Sequence, residues 1–256
     1  MLLLRPPGVY PAQGDTALLL DVLDREPLRP GARCLDIGTG CGALALAAAR
    51  RGCRVTAVDL SRLSLATAWL NAHLHRLPLR VRHGDLTTTG PTPLEPTPTG
   101  LAPTGPAPTD STPAGSTPTD STPTGSSAPG PGARYDLVLS NPPYVPSPRP
   151  GPPPPGPARA WDAGPDGRLL LDRLCRRVPP LLAPGGVLLL VQSSLARPDA
   201  TVRQLRAAGL RTSVAARRLQ GFGPVMTARA SWFEHVGLIE PGVRTEELVV
   251  IRGVRD

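Results

Sequence analysis

Residues 34–51 read Cys34-Leu35-Asp36-Ile37-Gly38-Thr39-Gly40-Cys41-Gly42-Ala43-Leu44-Ala45-Leu46-Ala47-Ala48-Ala49-Arg50-Arg51. A short apolar run carries an acid, three glycines follow at alternate positions, and an Ala/Leu stretch completes the unit. This predicts a strand, then a tight loop whose backbone a ligand can approach closely, then a helix. Gly52 is placed to end that helix. Downstream, Arg54 to Val58 predicts a second strand ending in Asp59. A helix from about Ser61 is stopped by Pro78 after Leu77, and Leu79 to Arg82 predicts a third strand leading to His83-Gly84-Asp85. This alternation defines an α/β fold with a mostly parallel, Rossmann-like sheet and helices on both faces.

Upstream, Asp15-Thr16 opens a helical pattern through Leu23, with Asp15 or a neighbour the expected N-cap. Downstream, the pattern stops. Of the 46 residues from Thr87 to Gly132, 37 are Thr, Pro, Gly or Ser, with Ser-Thr-Pro at 111, 116 and 121. Such a segment cannot bury enough surface to offset its ordering entropy. Residues 87–132 therefore predict a disordered insertion within a single domain spanning 1–256. The fold resumes with Tyr135 to Ser140 as a strand. Leu169 to about Val178 is helical, Val187 to Gln192 a strand, Pro198 to Ala208 a helix, Thr212 to Ala216 a strand and Glu247 to Ile251 the last strand. Residues 221–242 read ambiguously, with a short helix near Ala228 to Val236, and Trp69 with the leucines of its helix is expected in the core.

Bulk properties exclude more than they assign. All 28 basic residues are Arg, and with 35 Pro and 27 Gly the +8 charge reads as compositional bias, a weak pointer to nucleic acid. The four cysteines lack C-x-x-C spacing, and reduced buried thiols are expected. His73 and His75 lie two apart on a predicted helix and do not share a face, so no metal site is expected. The longest apolar run is far below the ~20 residues of a membrane helix, which predicts a soluble, cytoplasmic protein.

The glycine loop alone admits two cofactors. Gly38-x-Gly40-x-x-Ala43 satisfies a dinucleotide fingerprint, and Asp59 is suitably spaced to hold a ribose in either case. Asp36 tilts the choice toward S-adenosylmethionine, because a carboxylate before the loop suits a cationic amino-acid end and opposes a pyrophosphate. Asp85 is placed to accept from an adenine amino group, and Thr16 either to touch the donor or to cap its helix.

The acceptor half is Asn141-Pro142-Pro143-Tyr144, and Asn141 is one of only two asparagines. An amide or aromatic amine nitrogen is a poor nucleophile because its lone pair is delocalised. Two acceptors aimed at its hydrogens, the Asn141 side-chain oxygen and the Pro142 carbonyl, would turn that lone pair toward a methyl group. The prolines stiffen this arrangement, and Tyr144 is expected to pack flat on a planar substrate group. Trp161 and Arg168 are further candidates for shaping the pocket.

On these residues the chain resembles class I S-adenosylmethionine-dependent methyltransferases, and within them the HemK family of protein-glutamine N5-methyltransferases. Val9-Tyr10 followed by Asp15 to Asp21, and Trp161 with Gly164, Gly167-Arg168 and Asp172, are similar to the eukaryotic and archaeal release-factor branch. That branch carries an acid where this chain has Gly14. The resemblance implies a seven-stranded sheet with a final antiparallel strand. It assigns donor contacts to Asp36, Gly38, Gly40, Asp59 and Asp85, and the substrate amide to Asn141. It also implies a protein substrate such as a release factor and, in eukaryotic relatives, a small zinc-containing activator subunit. The bacterial branch's separate N-terminal recognition domain is expected to be absent. Two other readings stand beside it. Asn-Pro-Pro-Tyr also serves N6-adenine methyltransferases of DNA or RNA, although no target-recognition module is evident and aromatic content is 3%. A non-catalytic donor-binding scaffold is the other.

Overall fold

The computed structural model describes residues 2–9, 13–84, 134–153 and 156–256. Tyr10, Asp85 and the 87–132 insertion lie outside the described residues. The elements in order are α1 (Gly14–Leu23), β1 (Arg33–Ile37), α2 (Ala43–Arg50), β2 (Arg54–Asp59), α3 (Arg62–Leu74), β3 (Leu79–His83) and β4 (Tyr135–Ser140). They continue with α4 (Leu169–Arg177), β5 (Leu182–Ser193), α5 (Pro198–Ala207), β6 (Leu210–Gly221), α6 (Pro224–His235) and β7 (Thr245–Arg255).

Seven strands form one sheet in the order β3-β2-β1-β4-β5-β7-β6. The first five run parallel, and β7 pairs antiparallel with both β5 and β6. Parallel strands covered on both faces should be apolar throughout rather than alternating. Leu137 to Leu139 and Leu188 to Val191 meet that expectation, all essentially inaccessible to solvent. Strand order reverses about β1, so the carboxyl ends of β1 and β4 open onto the switch-point crevice where α/β sheets bind ligands. Ser140 Oγ donates to the Ile37 carbonyl at 2.9 Å and locks the two strand ends together.

Several expectations change. The strand expected over 212–216 is twelve residues long, Leu210–Gly221, with an irregularity at Val214/Ala216. It rides on the eleven-residue β7, and the ambiguous stretch after it resolves into α6. Of the cap candidates, Asp15 or a neighbour, the structure selects a neighbour. The cap position falls on Gln13, without a side-chain bond, and Asp15 sits buried in the first turn.

Trp69 is 51% exposed rather than core, and Leu63, Leu70 and Leu74 on the same helix are also exposed. The cause is the face α3 buries. Its Ala68 approaches Gly42 so closely that a Cβ there would meet Ala68 at about 3.0 Å. Asn71 bonds the Leu4 backbone at 2.8 and 2.9 Å and the Cys41 carbonyl at 2.9 Å. Small and polar residues make the close packing, so the large apolar ones turn outward.

Arg168, 2% exposed, points away from both cavities described below. Its guanidinium donates to the Ala196 and Arg197 carbonyls and Thr201 Oγ1, and pairs with Asp172 at 2.6 Å. It ties the start of α4 to α5. Truncating a buried cation with this many partners strands several acceptors. Arg168→Ala is therefore expected to lose about 2–4 kcal/mol in chemical denaturation, with S-adenosylmethionine affinity retained in calorimetry. All four cysteines are buried and none forms a disulfide, as expected. Among the described residues no helix is long and apolar enough to cross a membrane, and no cluster of possible metal ligands occurs.

Candidate active site at the β1–β4 switch point

A cavity of ≈ 490 Å³ lies over the carboxyl ends of β1, β2 and β4. Gly38, Thr39 and Gly40 form its floor, Asp59 and Ser61 one side, and Ser140, Asn141, Pro142 and Pro143 the other. Thr16 closes it from α1. The loop after the Asn-Pro-Pro-Tyr motif covers it through Gly156, Pro157, Arg159 and Ala160. Leu170 and Leu174 of α4 also line it. Their helical spacing is legible in the sequence, but which partner they face is not. Asp85 is undescribed, although its neighbour Gly84 lines the cavity.

The glycine loop takes its shape from three left-handed residues, Gly38 (φ 74°), Gly40 (φ 55°) and Gly42 (φ 88°). A Cβ at Gly40 would enter open space, and one at Gly38 would come within 4.0 Å only of the Asn141 carbonyl oxygen. Two of the three glycines therefore keep the floor clear for a ligand, while the third serves the α3 contact.

Asp36 stands behind this loop rather than on the cavity wall. Its Oδ2 accepts from Thr39 Oγ1 at 2.7 Å and from the Ala45 N–H at 3.2 Å. It thereby does for α2 what the cap residue Gly42 cannot. Oδ1 is buried without a partner. Burial pushes the Asp36 carboxyl up to about 7, opposed by the bonds from Thr39 and Ala45. Raised by burial, it holds its proton in the folded chain where the unfolded chain has lost it. That contribution to stability is complete below about pH 4 and lost as pH rises through about 7. Ligand-free protein should lose thermal stability across that window, by several degrees in midpoint. Asp36→Asn should flatten this part of the curve in a pH series of melts.

Asp59 is held twice, its Oδ2 accepting from the Gly40 N–H at 3.0 Å and its Oδ1 from the Ser61 N–H at 2.8 Å. Burial raises its pKa, while those bonds and nearby His83 lower it. The carboxylate joins the tip of β2 to the glycine loop and keeps further lone pairs for a ligand.

Parallel pairing sets Ile37 opposite Ser140, so Gly38 and Asn141 follow side by side. Asn141 Nδ2 donates to Thr16 Oγ1 at 3.1 Å, which leaves Oδ1 as the acceptor end. Thr16 Oγ1 in turn donates to Asp15 Oδ1 at 3.3 Å, and Tyr144 Oη donates to Asp15 Oδ2 at 2.9 Å. One buried carboxylate thus braces both ends of the motif. Tyr144 differs from expectation: it does not line the large cavity, and its hydroxyl is committed to Asp15. It lines a second recess with Trp161.

The residues fit S-adenosylmethionine. The floor is cleared by glycines, Asp59 faces the cavity, and Asp36 carries an unpartnered buried oxygen behind the loop. The sheet order, the crevice and this residue set define a class I methyltransferase.

The comparisons with known proteins agree. The Methyltransferase small domain family matches residues 2–93. Over 225 residues the chain is 32% identical to the release factor glutamine methyltransferase of Bordetella pertussis, covering 84% of this chain and 67% of that one. It is 26% identical over 231 residues to a Methanocaldococcus jannaschii protein assigned provisionally as a protein N5-glutamine methyltransferase, covering 88% and 92%. The chain spans 59% of another such relative, from Gloeobacter violaceus. Among solved structures, the E. cuniculi Mtq2-Trm112 complex, which methylates the eRF1 termination factor, superposes with a TM-score of 0.56 at 20% identity over 97% and 99% of the chains. A T. thermophilus 16S rRNA guanine methyltransferase bound to AdoMet and guanosine superposes at 0.53 and 18% identity, over 98% of this chain and 46% of that one. These two likenesses speak to the fold. The sequence relationship identifies the branch: the chain belongs to the HemK family of protein-glutamine N5-methyltransferases, which are S-adenosylmethionine-dependent enzymes.

Proposed function

We propose that this protein transfers the methyl group of S-adenosylmethionine to the side-chain amide of a glutamine in a protein, with a translation release factor as the acceptor. The observation that carries the reading is the placement of Asn141. Strand register sets it beside Gly38 on the wall of the donor cavity, and Thr16 orients its amide so that Oδ1 is the acceptor. When bound, the donor supplies an activated methyl on a good leaving group. The chain's own residues do the rest. Asp59 holds the ribose hydroxyls, and Gly38 and Gly40 give it room. Asp36 balances positive charge behind the loop, and Thr16 lies against the donor. Undescribed Asp85 takes the adenine amino group. Asn141 Oδ1 and the Pro142 carbonyl accept both hydrogens of the acceptor amide and aim its lone pair inward. No strong base is required before transfer, because the proton leaves afterwards.

The motif itself does not distinguish glutamine from adenine, and the fold is shared with an rRNA enzyme. Glutamine is supported by the named relatives. A small activator subunit is supported by the two-protein structural neighbour and by the exposed Leu63, Leu70 and Leu74 of α3, beside the edge strand β3. Such an apolar face suits a protein partner. The chain is read as one domain with 87–132 inserted, because β3 and β4 on either side join one sheet. Deleting 87–132 should leave donor affinity within about twofold, since long surface insertions cost little.

The test is to incubate the protein with labelled S-adenosylmethionine and a host lysate, with and without nuclease, beside Asn141→Ala. The labelled species is then identified by mass spectrometry. Label on a protein glutamine, lost in the variant, is the expected result. Label confined to nucleic acid would overturn the reading.

A further inference from the structure

The two ends of the sheet differ in charge. The donor cavity lies over the carboxyl ends of β1, β2 and β4, where Asp59 faces it. Strands β1 to β5 run parallel, so their amino ends lie together at the opposite end. Arginine marks that end. Arg33 opens β1 and Arg54 opens β2, and the two are register partners in adjacent strands, about 4.8 Å apart. Arg134 immediately precedes β4. The helices that feed these strands run the other way, so their carboxyl ends share this face. There Arg50 closes α2, Arg76 follows α3, and Arg25 and Arg29 lie between α1 and β1.

Hydrogen bonds hold these segments together. The Arg51 guanidinium donates to the Leu23 and Glu26 carbonyls and joins the ends of α1 and α2. The Gly31 N–H donates to the Gly52 carbonyl and the Arg54 N–H to the Ala32 carbonyl, each at 2.8 Å. Arg25, Arg29, Arg50, Arg54, Arg76 and Arg134 are all exposed, and none belongs to an ion pair among the described residues. Against these six stand Asp24, Asp136, which accepts the Arg33 N–H at 2.7 Å, and Glu26, which is buried against Arg252 at 2.6 Å. Compositional bias accounts for how many arginines the chain has, not for their grouping. The helix dipole accounts for Arg50 alone, since α1 has no basic residue in its last turn and α3 has His73 there. Arg76 even holds φ 53°, a left-handed position where glycine is usual.

We infer that this face docks the phosphate backbone of a double-helical nucleic acid, with these six arginines as its phosphate contacts. A guanidinium presents paired N–H groups that match a phosphate. The segments carry no exposed aromatic residue on which unpaired bases could stack, which favours a duplex over a single strand. Leu74 is their one exposed large apolar residue among the described residues. That is too little for the core of a protein interface or for a wedge in a membrane. Backbone contacts of this kind position a protein without reading sequence. The donor cavity, at the far end of the sheet, stays open to an acceptor protein while the duplex is held.

The test is fluorescence anisotropy of the full chain with labelled duplexes of about 20 base pairs and arbitrary sequence, one of RNA and one of DNA, between about 50 and 200 mM salt. Flotation with phosphatidylserine vesicles forms a third arm. At least one duplex should bind, with affinity falling at least about tenfold across that salt range. Arg25→Glu/Arg54→Glu/Arg134→Glu should weaken binding about tenfold or more and flatten the slope of log affinity against log salt by about 2–3. The milder Arg25→Gln/Arg54→Gln/Arg134→Gln should lie between it and wild type. Arg62, Arg149 and Arg203 are exposed arginines off this face. Arg62→Glu/Arg149→Glu/Arg203→Glu makes the same charge change there and should stay within about threefold of wild type, because charges beyond a Debye length are screened. All variants should keep S-adenosylhomocysteine affinity, which reports that they are folded. No binding of either duplex at the lowest salt, equal losses in the two glutamate variants, or face-dependent binding of vesicles alone would overturn the inference.

Discussion

Asn141→Ala is expected to lower the rate of methyl transfer about 10²- to 10³-fold while leaving donor affinity within about twofold. The asymmetry follows from how the side chain is held. Its Nδ2 is spent on Thr16 Oγ1, and the β1–β4 register rather than the side chain builds the cavity floor. Alanine therefore removes one acceptor for the substrate amide and leaves Gly38, Gly40 and Asp59 in place. Calorimetry with S-adenosylhomocysteine and single-turnover transfer to an acceptor peptide read the two halves separately. Thr16→Val should fall between wild type and Asn141→Ala, because it frees the amide to rotate and present nitrogen where oxygen is needed. A Thr16→Val protein as impaired as Asn141→Ala would mean that orientation, not the acceptor atom, dominates. A donor affinity lost together with the rate would remove Asn141 from the acceptor side altogether.

The donor half was readable because its signal is local. Glycines at alternate positions between an apolar run and an Ala/Leu stretch admit few conformations, and Asp59 ends a strand whose apolar residues mark its span. The parts that could not be read are those fixed by distant chain segments. Trp69 reads as core on any count of apolar residues. It is exposed because α3 presses its small residues against Gly42 and the Leu4 backbone. Asp15 reads as a cap, and serves instead a hydroxyl 129 residues away. Tyr144 reads as a stacking platform for the same reason: nothing in its neighbourhood announces that its hydroxyl will meet Asp15. Glu246 had no signal at all, since the Gln220 that bonds it lies on β6, a strand whose length the sequence understated.

Asp59 separates these two halves more sharply than any other residue. Its carboxylate accepts the Gly40 and Ser61 N–H groups and faces the cavity with the lone pairs that remain. Asp59→Ala should weaken binding of S-adenosylmethionine and S-adenosylhomocysteine equally, by about 100-fold, the scale of two charge-assisted hydrogen bonds to ribose hydroxyls. Equal loss is the diagnostic part, because the two ligands share the ribose and differ only at the sulfur. Asp59→Asn should do little better. An amide offers one oxygen where the loop and the strand end each need an acceptor, and it turns its NH₂ against one of the two backbone donors. If the loss fell on S-adenosylmethionine alone, Asp59 would be acting on the sulfonium charge rather than on the sugar. If neither ligand were affected, the carboxylate would be only a brace between β2 and the glycine loop. At saturating donor the transfer rate of Asp59→Ala should recover toward wild type, whereas Asn141→Ala should not respond to donor at any concentration.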